Sequence, residues 1–402
     1  RLERREYAWR GEEQLVGVAT LGKQARQYDR DARGCVVREI VDDATIIRAI
    51  DVADNVYRTA SGQDRHYGPG GRLEQVDGHR VEHDEDGNLT FRADNRGEWR
   101  YSWNGHGLLS AVERPDGARV EFEYDGLARR IARRLVGPDG AIEHEVAFVW
   151  DGHTVVHELD SEVGLISWCW LPESATPILK MQGERRWSIA SDHLGAPTHL
   201  HDENGAVVWA ANLDIFGRVR VELGEVRDCP WRWPGQYDDG LVDEFYNRWR
   251  YYSPALGRFI SQDPAGPIAG LNPYAYVDDP TLWIDLLGLT GAYIFSFATG
   301  KMYIGKGPVE RALVSQRERT VPGDRISKGA HLDCGDNRMA FMVEAVLMER
   351  NKFSRNPDLL NEINSPGKKL LKAATPAEIT AVTKLADALE DAYTESQGKI
   401  CR

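Results

Sequence analysis

The sequence predicts a β-rich body over residues 1–289 joined to a small α/β domain over residues 290–402. Three observations carry that prediction. Turn-forming Asp-Gly and Asn-Gly pairs recur between short stretches rich in Val, Ile, Trp and Tyr as far as Leu289. Past Leu289 the pattern changes to a hairpin followed by helical periodicity. Charge changes sign at the same place. The net charge is −13, yet residues 290–402 carry 17 Lys/Arg against 14 Asp/Glu, leaving 33 against 49 for residues 1–289. An acidic body joined to a basic tail points to two jobs, with a polyanion as a partner for the tail.

Length and composition set the outer bounds. At about 100–200 residues per domain, 402 residues make two to four compact units. With 42% hydrophobic and 28% charged residues, the chain is neither disordered nor built of membrane helices. No window approaches the ~20 consecutive apolar residues that a membrane-spanning helix needs. Cys35, Cys169, Cys229, Cys334 and Cys401 are scattered without a CxxC pair, which argues against a disulfide framework and against a zinc ribbon. The chain starts at Arg1, so an upstream part carrying more shell and any targeting signal is expected.

In the body, Asp86-Gly87, Asn104-Gly105, Asp116-Gly117, Asp125-Gly126, Asp139-Gly140 and Asn204-Gly205 supply the positive φ of tight hairpins. His83-Asp84, Tyr101, Tyr124-Asp125 and Trp150-Asp151 recur at a loose period, each followed by Gly and an apolar residue. Repeated β units that cannot bury a face alone imply a stacked, quasi-one-dimensional sheet.

Tyr28-Asp29-Arg30-Asp31-Ala32-Arg33-Gly34 and Tyr124-Asp125-Gly126-Leu127-Ala128-Arg129-Arg130 resemble the YD repeats of Rhs proteins. DHLGAPTHLHDENG (Asp192–Gly205), PGQYDDG (Pro234–Gly240), YNRWRYYSPALGRFISQDPAG (Tyr246–Gly266) and GLNPYAYVDDPTLWIDLLGL (Gly270–Leu289) resemble the signature end of an Rhs core. The resemblance covers nearly all of residues 1–289. It implies an Rhs/YD-repeat cocoon, a hollow β shell enclosing a variable C-terminal toxin. On that reading residues 1–245 are YD-repeat shell, 246–289 the core-terminating autoproteolytic segment, and 290–402 the toxin domain.

Asp263-Pro264-Ala265-Gly266 and Asp285-Leu286-Leu287-Gly288 lie at the junction. Two aspartates sharing a proton can hydrolyse a peptide bond: one stays ionised and activates water, and its protonated partner assists the carbonyl. Rhs proteins use such a pair to cut themselves just after the second motif. The resemblance therefore implies Asp263 and Asp285 as the pair, Leu289–Thr290 as the scissile bond, and Arg258 beside the site. The second motif has Leu286 where the family has Pro. The alternative is that both aspartates only cap turns.

The tail opens with AYIFSFATGKMYIG (Ala292–Gly305), in which Tyr293, Phe295 and Phe297 alternate ahead of a Thr-Gly break and Met302-Tyr303-Ile304. This reads as a β-hairpin. A two-residue loop puts Tyr293 and Tyr303 on opposite faces. A three-residue loop, Ala298-Thr299-Gly300, pairs Phe295 with Tyr303 and puts both tyrosines on one face. Glu310–Arg319 reads as a short helix bearing Arg311, Arg317 and Arg319. In the helix Met339–Met348, Glu344 is the one charge in an apolar cylinder, and a buried carboxylate needs a cation, a hydrogen bond or water. Arg338 or a solvent stripe would satisfy it without any catalytic role. Thr375-Pro376-Ala377-Glu378 is a capping box with Pro at the first helical position, opening the last helix.

Tyr303-Ile304-Gly305-Lys306 after such a hairpin resembles the GIY-YIG nucleases, with Ala292-Tyr293-Ile294 in place of Gly-Ile-Tyr. That resemblance implies a catalytic set of Tyr293, Tyr303, Arg311, Glu344 and Asn361, the last from Pro357-Asp358-Leu359-Leu360-Asn361. Arg317 is a rival for the arginine, and His331 and Lys306 are accessory candidates. It further implies Mg²⁺ or Mn²⁺ on Glu344 and hydrolysis of a DNA phosphodiester. A tyrosine near pKa 10 is a poor base at neutral pH, so Lys306 and Arg311 would lower it. Arg317, Arg319, Lys368, Lys369 and Lys372 would follow the phosphate backbone without reading sequence.

The Rhs resemblance also implies a setting: an antibacterial effector made in the bacterial cytoplasm and delivered by a secretion apparatus, commonly type VI, into the target-cell cytoplasm. A cognate immunity protein would block the tail. Two other classes stay open. The tail could be a ribonuclease or an NAD-using transferase, although no convincing NAD signature is present. The chain could instead be mainly a structural or interaction shell with an inert tail.

Overall fold

The computed structural model describes residues 5–10, 14–20, 25–32, 34–41, 44–172, 174–264, 272–277, 279–282, 284–285, 291–297, 302–306, 326–333, 337–350, 374, 376–395 and 400–401. The chain divides into two units, Arg1–Gln262 with Tyr274–Gly288, and Asp263–Pro273 with Leu289–Arg402. Among the described residues no helix is long and apolar enough to cross a membrane.

The first unit is almost entirely antiparallel sheet. A 16-stranded meander runs from Arg65–Tyr67 to Val219–Leu223, each strand paired with its sequence neighbours. A five-stranded sheet precedes it over Arg5–Ile47, and three short strands, Phe245–Asn247, Arg250–Ser253 and Arg258–Phe259, follow it.

One turn is used again and again. In the hairpin at Asp84, the Asp84 amide donates to the Asn88 carbonyl and the Gly87 amide returns to the Asp84 carbonyl. Asn104, Asp125, Asp192, Asp202 and Asp214 open the same five-residue unit. The opening Asp or Asn also turns its own side-chain oxygen back, so that Asp125 Oδ1 accepts the amides of Leu127 and Arg129, both at 2.9 Å. The aspartate of each repeat is thus a turn-builder. Positive φ falls three residues after it, as at Gly87 (82°) and Gly205 (77°). This corrects the reading of two pairs. Gly105 and Gly126 do not take the left-handed conformation; Gly107 (72°) and Ala128 (57°) do, because Asn104 and Asp125 are the first residue of their turns.

The residue before the turn ties one hairpin to the previous one. Trp103 Nε1 donates to the Leu89 carbonyl at 2.7 Å, and Leu89 stands opposite His83. The Tyr124 hydroxyl donates to the Leu109 carbonyl at 2.7 Å, and Leu109 stands opposite Trp103. Trp150 Nε1 donates to Arg130, opposite Tyr124, and Trp170 Nε1 to Val155, opposite Trp150, both at 2.8 Å. An aromatic ring with a polar edge can pack and donate at once, and the ladder uses both properties.

The inner face of the meander packs on the segment between Cys229 and Ile260. Trp231, Tyr237, Tyr246, Tyr251, Leu256 and Ile260 share one core with Leu109, Val120, Phe148, Val155 and Trp168. Charges are buried there in pairs. Arg130 sits among Phe122, Phe148, Tyr237 and Tyr246 and meets Asp239 at 2.6 Å. Glu158 accepts from Trp168 Nε1 at 2.7 Å and from the Tyr237 hydroxyl at 3.1 Å, and burial pushes its pKa up to about 7.

In the second unit the sheet runs Met302–Lys306, Gly291–Phe297, Ile326–Asp333, Ile400–Cys401, the last pair parallel. The helices Asn337–Arg350 and Pro376–Glu395 pack on each other and on this sheet, and Arg350 bridges them through Asp387 (2.8 Å) and Glu390 (2.6 Å). The hairpin and both helices lie where the periodicity puts them. The central third strand, Ile326–Asp333, carries no clear alternation in its ISKGAHLD sequence and was not read from it. The expected helix Glu310–Arg319 lies outside the described residues.

Candidate functional site

Asp285 is buried, and Arg250, Asn247 and Tyr276 are among the described side chains that meet it. Arg250 places a guanidinium nitrogen 3.2 Å from its Oδ2. Asn247 donates from Nδ2 to its main-chain oxygen at 3.0 Å, and its amide approaches the Tyr276 hydroxyl at 3.5 Å. Local folding explains the grip. Asn247 and Arg250 stand directly opposite each other at the tip of a hairpin, joined by a two-residue turn in which Arg248 has φ of 57°. Opposed residues share a sheet face, so one tight turn delivers both side chains to one aspartate.

A buried guanidinium within hydrogen-bond reach favours the ionised carboxylate. The Tyr276 phenol is pushed well above its ordinary value, by burial first and then by the neighbouring Asp285 charge. Arg250 also lies 3.6 Å from the centre of the Phe259 ring, which fixes its plane.

The other junction residues are placed as follows. Asp263 is buried, with its amide donating to the Pro273 carbonyl at 2.9 Å. Arg258 is buried too, donates to the Gly71 carbonyl at 2.7 Å and lies 4.4 Å from the Tyr274 ring centre. Leu289 and Thr290 lie outside the described residues. Arg250 and Asn247 were missed by sequence reasoning. Their one signal was membership of the YNRWRYY tip, since 35 and 38 residues separate them from Asp285.

In the tail, register decides which candidates share a face. Phe295 stands opposite Tyr303, the pairing that a three-residue loop requires, so Tyr293 and Tyr303 fall on the same face of the sheet. On the other side Tyr293 stands opposite His331, which adds the histidine to that face. Lys306 stands opposite Ala292 and falls on the other face. Glu344 is 9% exposed, between Val343 and Ala345 at 0%, on a helix that packs against both tyrosine strands. Arg311, Arg317 and Asn361 lie outside the described residues. Among the described residues there is no group of three His, Cys, Asp or Glu that could close around a metal ion.

Comparison with known proteins gives these shapes a context. The Teneurin YD-shell family model matches residues 5–274. Double-stranded DNA deaminase toxin A of Burkholderia cenocepacia is 30% identical over 322 residues, covering 72% of this chain and 22% of that protein. Toxin protein Tse5 of Pseudomonas aeruginosa is 33% identical over 327 residues, covering 68% and 24%. The probable deoxyribonuclease RhsA of Dickeya dadantii is 28% identical, covering 77% and 22%. The chain thus spans less than a quarter of the length of these relatives.

Proposed function

The chain belongs to the Teneurin YD-shell family, and from that premise we propose that it is the closing, toxin-bearing part of a self-cleaving antibacterial Rhs effector. The observation that carries the reading is the buried Arg250–Asp285 pair four residues ahead of Leu289. An aspartate held ionised by a fixed cation suits the water-activating member of a pair, with Asp263 as its protonated partner. Hydrolysis of Leu289–Thr290 frees residues 290–402. Relatives named as toxins of different chemistry support a shared shell carrying varied tails.

For the tail we propose a metal-dependent DNase. Glu344, a buried carboxylate on a helix that packs against the tyrosine strands, would hold a Mg²⁺ or Mn²⁺ ion. When bound, such an ion neutralises charge developing on the scissile phosphate. Tyr293, Tyr303 and His331 share a face on which an attacking water could be held and a proton accepted, His331 being better matched to neutral pH than tyrosine. Arg311 or Arg317 would bind phosphate. Partners on this reading are target-cell DNA, a cognate immunity protein, the upstream shell and a type VI spike or adaptor. The protein would be made in one bacterial cytoplasm and delivered into another.

The test joins both halves. Full-length chain is purified and its fragments are sequenced from their N-termini, then incubated with supercoiled plasmid and Mg²⁺ or with EDTA. A fragment starting at Thr290 that nicks plasmid only with metal is expected. An intact chain, or a fragment inert on DNA with metal present, overturns the corresponding half.

A further inference from the structure

Trp150, Trp170 and Trp231 line a small chamber where the meander meets the segment packed on its inner face. Two of these indoles are engaged: Trp150 Nε1 donates to the Arg130 carbonyl and Trp170 Nε1 to the Val155 carbonyl, both at 2.8 Å. Trp231 is 7% exposed, and its Nε1 has no hydrogen-bond partner. Arg130, in the same lining, is 1% exposed and repeats the pattern. Its two terminal nitrogens grip Asp239 at 2.6 and 3.0 Å, while Nε has no partner. Two sealed-off donors in one lining are uncommon in a folded protein and point to an acceptor supplied by another species.

The nearby hydroxyls are committed elsewhere. Tyr237 donates to Glu158, Tyr246 to the Ala128 carbonyl and Thr154 to the Asp151 carbonyl, each at 3.1 Å. Among the described lining residues, the atoms sealed without a partner are donors alone. A water could accept both hydrogens but would bring two of its own; an anion brings none. Charge points the same way, because Arg133 also approaches Asp239, at 3.3 Å, so that two guanidinium groups share one sealed carboxylate. The chamber measures about 30 Å³, against the roughly 10–15 Å³ that one water needs, which suits a monatomic ion and excludes an organic ligand. His153 in the lining is exposed, so the chamber reaches solvent there.

We propose that this chamber is a halide site, in which one chloride ion accepts the Arg130 Nε and Trp231 Nε1 hydrogens. The guanidinium makes its contact charge-assisted. Arg130 belongs to the meander strand Arg130–Val136 and Trp231 to the inner segment, so the bound ion ties the two layers together.

The experiment measures thermal unfolding of the full chain while sodium gluconate, whose anion is too large for the chamber, is exchanged for sodium chloride at constant ionic strength. Trp231→Phe, which keeps a ring and removes the donor, is followed in parallel, and crystals of the parent are grown in sodium bromide. In the parent, Tm should rise with chloride. Above the dissociation constant, each tenfold rise in chloride should lower the unfolding equilibrium constant about tenfold. In Trp231→Phe the response should be flat, and the anomalous difference map of the parent should show one bromide in the chamber. A parental Tm indifferent to the exchange, a variant that responds as the parent does, or a chamber peak without anomalous signal (a buried water only) overturns the proposal. Should Trp231→Phe not fold, the bromide map decides alone.

Discussion

Arg130 and Asp239 form an ion pair closed to water on both sides, with side chains 1% and 0% exposed. The pair links the meander to the segment packed on its inner face, and four aromatic rings surround the guanidinium. Asp239→Asn leaves the arginine charge buried without its counter-ion. The expected loss is about 3–5 kcal/mol in denaturant unfolding, whereas replacement of an exposed pair such as Arg100–Glu98 should cost about 0–1 kcal/mol.

Trp150→Phe keeps the ring but removes the donor to the Arg130 carbonyl. About 1–3 kcal/mol should be lost, with a fall in Tm. Tyr124→Phe should lose a similar amount through Leu109, and its hydroxyl also lies 2.8 Å from that of Tyr251.

Glu158 and Glu244 give the shell a pH dependence of unusual sign. Burial raises each from 4.5 to about 7. Folding therefore favours their protonated forms, so the stability they contribute is full below about pH 4.5 and is lost as pH rises through about 7. Unfolding titrations should show stability declining from pH 5 to pH 8, and Glu158→Gln should flatten that decline. An unchanged slope in the variant would count against the buried-acid explanation.

Arg250→Gln removes the cation beside Asp285. Self-cleavage should slow at acidic pH, with its acid limb moving up by about one to three pH units. Arg250→Lys should restore part of the rate, since a charge returns without the fork geometry.

Glu344→Gln preserves shape and removes charge. Mn²⁺ binding measured by calorimetry and plasmid nicking should be lost together, while cleavage after Leu289 continues. Nicking that survives the substitution would exclude Glu344 as the metal carboxylate.

Much of the fold was legible because its grammar is local. At Asp84, Asp192, Asp202 and Asp214, an opening Asp and a Gly three residues later specify the turn within five residues. The same locality misled at Asn104-Gly105 and Asp125-Gly126, where the pair opens the turn instead of closing it. The tail hairpin was local too, but its register stayed open between two loop lengths until Phe295 was found opposite Tyr303. Contacts made across long chain separations were not legible. Asp285 was visible as a motif, but Asn247 and Arg250 reach it only after the inner segment has folded back. His331 could be placed beside Tyr293 only once the strand Ile326–Asp333 was known to flank Gly291–Phe297.

The donors of Trp103, Tyr124, Trp150 and Trp170 all reach backward, each to a carbonyl in the hairpin synthesised just before its own. A polypeptide emerging from the ribosome therefore finds every anchor already present when the next ring appears. Assembly can advance one hairpin at a time in the direction of translation, and a long shell can be completed before the residues that follow it leave the exit tunnel.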